Sequence, residues 1–436
     1  MKTLVYLGAL ALAGSVIVAC TGPAADLNSA PAIDGAAQSH KRVRPIKSST
    51  NPITHVFVIV QENRSVDNLF NGFPGANTVQ IGRSTGNSLV PLKPEPIATP
   101  DDLGHFLTNF NTDTGCPSSY GPSFTCPMDG FPAPSGNNPA AYAYVDHAYT
   151  KLYFAMAEAY AFGDNMFPSN IDASFVSHQY LVAAQANSAV NITGNCPGSM
   201  VSTVTPQRTL GPTESPCYFT STTLADELSA AGLSWRYYVA PAVQGEVFWD
   251  PFYYIAQDRQ SPNIIMAPSQ FLTDASNSYK TTVTWITPTA KNSDHAAFTT
   301  NAGPNWVASV VNAIGTSPLW NSSVIFITWD DWGGWYDHVT PPYEDYDGLG
   351  IRVPFVIISP YTKAGLVTHT QYEQASIMKF IENRFGLPSL SAADQRAADP
   401  SADVFSTNSL VPRPFATFSV PSFSNANDPG NPDPDG

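Results

Sequence analysis

The sequence predicts an α/β protein built on a mostly parallel β-sheet with helices over both faces. Two patterns carry that expectation. Short apolar runs rich in Val, Ile and aromatic residues alternate with longer stretches of helical period, as strand–helix–strand units require. Three of the runs are followed by acidic, amide or imidazole side chains, at the strand ends where open α/β sheets bind ligands.

The elements follow in order. Lys2 and an apolar run from Leu4 to Val18 open the chain, and the run ends Ile17-Val18-Ala19-Cys20. A run this short and N-terminal reads as an export signal rather than a spanning helix, and its end resembles a bacterial lipobox. Residues 1–20 are therefore expected to be a lipoprotein-type signal peptide. The protein would be exported and held at the cell envelope by an N-terminal lipid anchor in the membrane, or secreted if Cys20 is not lipidated. Residues 21–50, rich in Ala, Pro and Ser with a basic run at Lys41, Arg42 and Arg44, read as a flexible tether. The folded domain spans 51–411. Strands are expected at His55–Val60, Ser234–Val239, Thr282–Ile286, Val324–Thr328 and Val353–Ile358. Helices are expected at Ala148–Ala161, Thr223–Ala231, Asn305–Gly315 and Gln374–Phe385. Residues 77–145 and 187–220 fit neither period and read as loop-rich cap insertions that wall a pocket. Residues 412–436, dense in Pro, Asn, Asp and Ser, read as a disordered tail.

Composition narrows the function. A hydrophobic content of 43% supports a sizeable core, and a net charge of −15 argues against nucleic acid as a partner. Cys116, Cys126, Cys196 and Cys217 remain after the signal. An even number in an exported chain points to disulfides. The nearest-neighbour pairing is Cys116–Cys126 with Cys196–Cys217, and the other two pairings stay open. There is no CxxC spacing, which argues against a zinc–thiolate site.

The chemistry collects at strand ends. Gln61, Glu62 and Asn63 follow the first run, Asp330 and Asp331 the fourth, and Asp294 and His295 come soon after the third. Carboxylates gathered at one sheet edge repel unless a cation neutralises them, and carboxylate and amide oxygens are hard ligands for a divalent metal. The competing reading, that each is a helix N-cap or turn residue, suits one such Asp better than two pairs. Glu62, Asn63, Asp330 and Asp331 are the expected metal ligands.

The residues then carry a resemblance. Val60-Gln61-Glu62-Asn63-Arg64-Ser65-Val66-Asp67-Asn68-Leu69-Phe70 with Phe73-Pro74-Gly75-Ala76 is similar to the opening motif of the bacterial phosphoesterase family, which holds phospholipases C and an acid phosphatase group. Trp329-Asp330-Asp331-Trp332-Gly333-Gly334-Trp335-Tyr336-Asp337-His338-Val339 and Pro341-Pro342 resemble its second signature. Gly350-Ile351-Arg352-Val353-Pro354-Phe355 and Ile358-Ser359-Pro360-Tyr361 resemble a third. Ser293-Asp294-His295 and Cys126-Pro127-Met128-Asp129-Gly130-Phe131 match weaker ones, so the likeness runs from about His55 to about Leu387. It implies an alkaline-phosphatase-like three-layer sandwich with a hydroxyl nucleophile on a loop. There the family reads Gly-Pro-Ser/Thr-x-Pro-Asn-Arg/His-x-Tyr-Leu, and this chain reads Asp172-Ala173-Ser174-Phe175-Val176-Ser177-His178-Gln179-Tyr180-Leu181. Ser174 falls on the nucleophile. Gly-Pro has become Asp-Ala and Pro-Asn has become Val-Ser, which puts the loop's backbone in question.

The resemblance implies a metal-dependent phosphoester hydrolase with a phosphoseryl intermediate. The divalent ion would be Ca, Mn, Fe or Zn. His295, His178 and His338 are the proton-donor candidates. Asp294 stands with His295 among the catalytic candidates, and the family also has a pocket histidine where His105 falls. Arg64 reads as pairing with Asp67, and Ser65 as a helix cap. Trp332 and Trp335 fit a pocket wall or plain core equally. The Phe-Pro-Gly-Ala continuation and the chain length favour a phosphate-monoester substrate, with phosphatidylcholine-type phospholipids as the alternative. A sulfatase would need its Cys or Ser in a Cys/Ser-x-Pro-x-Arg context, which Cys116, Cys126 and Cys196 do not provide. A surface lipoprotein that binds a metal or phosphorylated ligand without turnover is the non-enzyme alternative.

Overall fold

The computed structural model describes residues 52–117, 121–136, 138–193, 200–214, 218–241, 249–406 and 411–424. The expected signal peptide and tether, Cys196 and Cys217 lie outside the described residues. Among the described residues no helix is long and apolar enough to cross a membrane.

The centre is a nine-stranded sheet. Its strands are β1 His55–Gln61, β2 Ala161–Phe167, β3 Trp235–Tyr238, β4 Ile264–Ile265, β5 Val283–Ile286, β6 Ser323–Trp329, β7 Val353–Ile358, β8 Leu366–Thr368 and β9 Tyr372–Glu373. The order is β4-β3-β5-β1-β6-β7-β2-β8, with β9 also paired to β2. Every pairing is parallel except those of β7, which runs antiparallel between β6 and β2. The strands β5, β6 and β7 are buried along their whole length. Their mostly apolar runs suit a strand covered on both faces.

The helices are α1 Val66–Leu69, α2 Leu107–Thr114, α3 His147–Ala159, α4 Ser174–Ala183, α5 Leu224–Ala230, α6 Gln270–Asp274, α7 Gly303–Gly315, α8 Gln374–Phe385 and α9 Ala392–Arg396. One layer packs α3 and α6 against α7; the other packs α5 and α8 against α4, with α9 on α8. The five expected strands and four expected helices are present within a few residues at each end.

Among the elements that escape the sequence pattern are β2 and α4. β2 reads Ala-Phe-Gly-Asp-Asn-Met-Phe, with three residues disfavoured in strands at its middle. Each has a local reason: a Cβ on Gly163 would meet the Phe355 ring at 3.3 Å, Asp164 accepts from the Asn77 backbone, and the Asn165 amide donates to the His369 carbonyl. Helix α4 has every residue buried, so it shows no polar face to reveal its period. Ser174, expected on a loop, is the first residue of this helix.

The insertions are more ordered than a loop-rich reading implies. Ile81–Ser84 pairs with Ser88–Pro91, Lys93–Glu95 with Ala143–Val145, and Ala189–Thr193, Met200–Val204 and Leu210–Glu214 form a three-stranded sheet. Cys116 and Cys126 are joined by a disulfide. Residues 412–424, within the span read as a tail, have no regular secondary structure but lie along the body. The Arg413 carbonyl accepts from the Trp320 indole at 2.7 Å, and the Phe418 backbone exchanges two hydrogen bonds with the Asn312 side chain.

Candidate active site

Sheet register assembles the site. In the β1–β6 pair Gln61 lies opposite Trp329, so the residues that follow, Glu62-Asn63 and Asp330-Asp331, leave the sheet side by side. The Asp330 backbone donates to the Gln61 carbonyl at 3.0 Å, and the Asn63 backbone donates to Asp330 Oδ1 at 2.9 Å. Asn63 has φ of 60°, the left-handed conformation that Asn tolerates better than most. Gly333, at φ +62°, passes so close that a Cβ there would lie 2.4 Å from the Asn63 carbonyl oxygen. That packing explains the glycine in the second motif.

Two linked groups result. In the first, Glu62, His178 and Asp330 place ligand atoms within 4.8 Å of one another, all buried. His178 Nε2 lies 3.0 Å from Glu62 Oε1. Burial holds the His178 imidazole down to about 4, against the opposing pull of Asp330, so it is neutral at ordinary pH. In the second, the Asn63 amide nitrogen lies 2.9 Å from His105 Nε2, 3.3 Å from Ser174 Oγ and 3.2 Å from Asp331 Oδ1. The Ser174 hydroxyl is 3.5 Å from Asp331 Oδ2, and Asp331 also accepts from the Gly333 backbone at 2.7 Å. His105 Nδ1 donates to the Leu103 carbonyl at 2.6 Å, which turns Nε2 toward this group. The His295 ring lies 6.0 Å from the His105 ring, centre to centre, with its Nδ1 committed to the Ala296 carbonyl.

The donors fit a cation. Asn63 Oδ1 and Asp330 Oδ2 are buried without a hydrogen-bond partner, a costly state for polar oxygens unless something positive meets them. Glu62, Asn63, Asp330 and His178 are the residues that could hold it. Asp331, the other expected ligand, lies 3.2 Å from the Asn63 amide and 3.5 Å from the Ser174 hydroxyl.

Other expected residues sit elsewhere. The Asp294 carboxylate accepts from the Tyr153 hydroxyl at 2.7 Å and the Trp329 indole at 3.0 Å, which makes it a brace beneath His295. Burial lifts it to about 6, against the Tyr153 hydrogen bond and the nearby Arg64. Arg64 does not pair with Asp67. It donates to the Asp294 carbonyl at 2.7 Å and the Ile97 carbonyl at 2.7 Å, and lies over the Trp335 ring. Ser65 does cap α1, accepting from the Asn68 backbone. Trp332 and Trp335 are both fully buried, so neither forms an open wall.

His338 belongs to a separate cluster. Its Nδ1 meets Asp67 Oδ2 at 2.6 Å and its Nε2 meets Asn77. Arg352 forks onto Asp337 at 2.9 and 3.1 Å and donates to the Asp164 and Asn77 carbonyls. The guanidinium already supplies positive charge there, and the cluster ties the first, second and third motifs together.

Sequence reasoning missed Gln374, whose amide donates to the Asp330 carbonyl at 2.5 Å, and Tyr153, which braces Asp294. It also missed Asp113, which accepts from the Trp332 indole at 3.4 Å. Nothing local to those residues marks them; each matters only through a partner distant in sequence.

Fold and site together define a layered α/β protein with a buried candidate cation pocket beside a helix-start serine. The chain belongs to the Phosphoesterase family, whose model matches residues 53–388. Among curated proteins it is 28% identical to Phospholipase C B of Mycobacterium tuberculosis over 205 residues, 38% of this chain and 39% of that protein. It is 29% identical to the Non-hemolytic phospholipase C of Pseudomonas aeruginosa over 213 residues, 39% of this chain and 30% of that protein. The matches thus span well under half of those relatives. Among solved structures it is similar to a protein in the alkaline phosphatase superfamily from Vibrio parahaemolyticus, with a TM-score of 0.37 at 8% identity over 78% of this chain and 68% of that one. It is also similar to the lipoteichoic acid synthase LtaP of Listeria monocytogenes, with a TM-score of 0.38 at 8% identity over 80% and 76%.

Proposed function

We propose that the protein is a metal-dependent phosphoester hydrolase in which Ser174 is the nucleophile. The observation that carries the reading is the Asn63 amide. Its nitrogen donates to Ser174 Oγ and to Asp331, while its buried oxygen points to no protein partner. One side chain thereby connects the hydroxyl to the candidate cation pocket. A divalent cation held by Glu62, Asn63, Asp330 and His178 would neutralise phosphate oxygens and favour the ionised serine.

The protein's own groups do the rest. Asp331 accepts the Ser174 proton as Oγ attacks phosphorus in line, forming the Ser–O–P bond and breaking the bond to the leaving alcohol. The alcohol takes its proton from an imidazole, for which the candidates are His105, 3.9 Å from Asp331, and His295, whose ring packs against that of His105. Ser174 opens α4, so the phosphoryl group rests at a helix N-terminus, where backbone N–H groups and the helix dipole favour negative charge. Water then attacks the phosphoserine, phosphate leaves, and Oγ recovers its proton. Positioning and charge neutralisation carry the catalysis.

Glu62, Asn63, Ser174, His178, Asp330 and Asp331 are all 1% exposed or less, which favours a compact phosphate monoester. The second reading, cleavage of a phosphatidylcholine-type lipid, draws support from the phospholipase C relatives. The Cys116–Cys126 disulfide supports export to an oxidising compartment, where a lipidated Cys20 would hold the protein to a membrane.

The test is to purify the protein, strip it with a chelator, and assay p-nitrophenyl phosphate and phosphatidylcholine with each divalent metal restored in turn. Metal-dependent release of p-nitrophenol is expected. Diacylglycerol release alone would move the substrate to phospholipids, and no turnover with any metal would leave a binding protein.

A further inference from the structure

We infer that His178 is a ligand of the candidate cation and makes the pocket prefer imidazole-accepting ions such as Zn2+ over the oxygen-seeking Ca2+. The inference rests on the cation reading above and deepens it by naming the class of metal.

Position comes first. His178 is four residues after Ser174 on α4, so the two share one helix face a turn apart. That face meets the ends of β1 and β6, and a single rigid element delivers both the hydroxyl and the imidazole to the pocket. His178 is fully buried, and its Nε2 stands 3.0 Å from Glu62 Oε1, in the group completed by Asp330.

The ring's two nitrogens bear on the role. Nδ1 is buried with no hydrogen-bond partner. If the proton is on Nε2 and donated to Glu62, Nδ1 is left as a buried lone pair that meets no donor. If the proton is on Nδ1, the Nε2 lone pair faces a carboxylate at 3.0 Å, which is repulsive until a cation lies between them. Of the two tautomers, the one protonated on Nδ1 turns its Nε2 lone pair to the group of Glu62 and Asp330, where a metal would satisfy it. The neighbouring buried oxygens Asn63 Oδ1 and Asp330 Oδ2 lack partners in the same way.

Imidazole changes the selectivity. Carboxylate, amide and water oxygens suit Mg2+, Ca2+ and Mn2+, whereas an added imidazole suits Zn2+, Fe2+ and their neighbours. His105 does not compete for the role: its Nδ1 donates to the Leu103 carbonyl and its Nε2 faces the Asn63 amide.

The test measures binding rather than turnover. Metal-free wild type and His178→Gln are titrated with Zn2+ and with Ca2+ against a chromophoric chelator. Glutamine keeps a donor for Glu62 and removes the imidazole. Zn2+ affinity is expected to fall by at least roughly 10- to 100-fold, the scale for losing a group that only orients a ligand, while Ca2+ affinity changes little. Unchanged Zn2+ affinity, or an equal fall for both ions, overturns the inference. Should the variant fail to fold, zinc-edge X-ray absorption of the wild type decides. Imidazole scattering in the first shell supports His178, and an all-oxygen shell overturns it. Zinc held through imidazole without turnover of either substrate would sink the hydrolase reading and leave this inference standing; turnover with an all-oxygen shell would do the reverse.

Discussion

Replacing Arg352 with Ala isolates the ion cluster that joins the three motifs. Arg352, Asp337 and Asp67 are all 0% exposed. The guanidinium makes two bonds to Asp337, at 2.9 and 3.1 Å, lies 3.8 Å from Asp67, and satisfies the carbonyls of Asp164 and Asn77. Its removal leaves two buried carboxylates with only His338 to offset them. Breaking a buried pair in this way costs about 3–5 kcal/mol, a large share of the ~5–15 kcal/mol that holds a typical domain. Burial already raises Asp337, as does Asp67, and Arg352 is the main opposing influence. Without Arg352, Asp337 rises further and takes up a proton more readily, so the deficit should shrink as pH falls. Urea unfolding followed by the fluorescence of the eight tryptophans measures both effects. A loss below about 1 kcal/mol at pH 7, the range of an exposed ion pair, or a deficit that does not shrink at pH 5, would refute the argument.

Three further outcomes are expected. Ser174→Ala should cost about 1 kcal/mol of stability or less, since its hydrogen bonds are long at 3.3 and 3.5 Å. Yet it should lower kcat at least ~1,000-fold with metal retained; turnover near wild type removes Ser174 from its role. Burial raises Asp113 to about 8, against the Trp332 hydrogen bond and His105. An acid raised in this way binds more protons folded than unfolded, so its contribution is full below the ordinary Asp range and declines as pH rises toward 8. Stability curves of wild type and Asp113→Asn should therefore converge at low pH and diverge in the variant's favour above neutrality. Replacing both Cys116 and Cys126 with Ser opens a disulfide of sequence separation 10. The loop-entropy model gives a loss of about 2.5–3 kcal/mol in urea unfolding, and an unchanged midpoint would show that the surrounding hydrogen bonds hold the segment alone.

The ion cluster also explains why the motifs are as long as they are. Asp67, Asp337-His338 and Arg352 extend the signatures well past the candidate cation pocket, and each contributes to the cluster rather than to the group around Ser174. Motif membership therefore identified two kinds of residue at once: those that face Ser174 or the pocket, and those that clamp the segments carrying them.

Much of this protein could be read without coordinates. Mostly apolar runs announced β5, β6 and β7, because a strand buried on both faces is usually apolar on both. Oxygen-bearing residues just past β1 and β6 marked the candidate site, because parallel strands deliver their ends to one edge. β2 and α4 could not be read. One carries residues that only its neighbours tolerate, and the other is buried all round and so shows no period. The roles of the histidines were also closed to sequence. All four candidates are imidazoles in or near motifs, and what separates them is their surroundings. His178 meets Glu62, His105 meets the Asn63 amide, His295 stands behind it over the braced Asp294, and His338 is drawn off to Asp67. Sequence determines which groups reach the edge of the sheet. Only the packing of distant segments decides which of them face one another, because desolvation and hydrogen-bond partners act across space rather than along the chain.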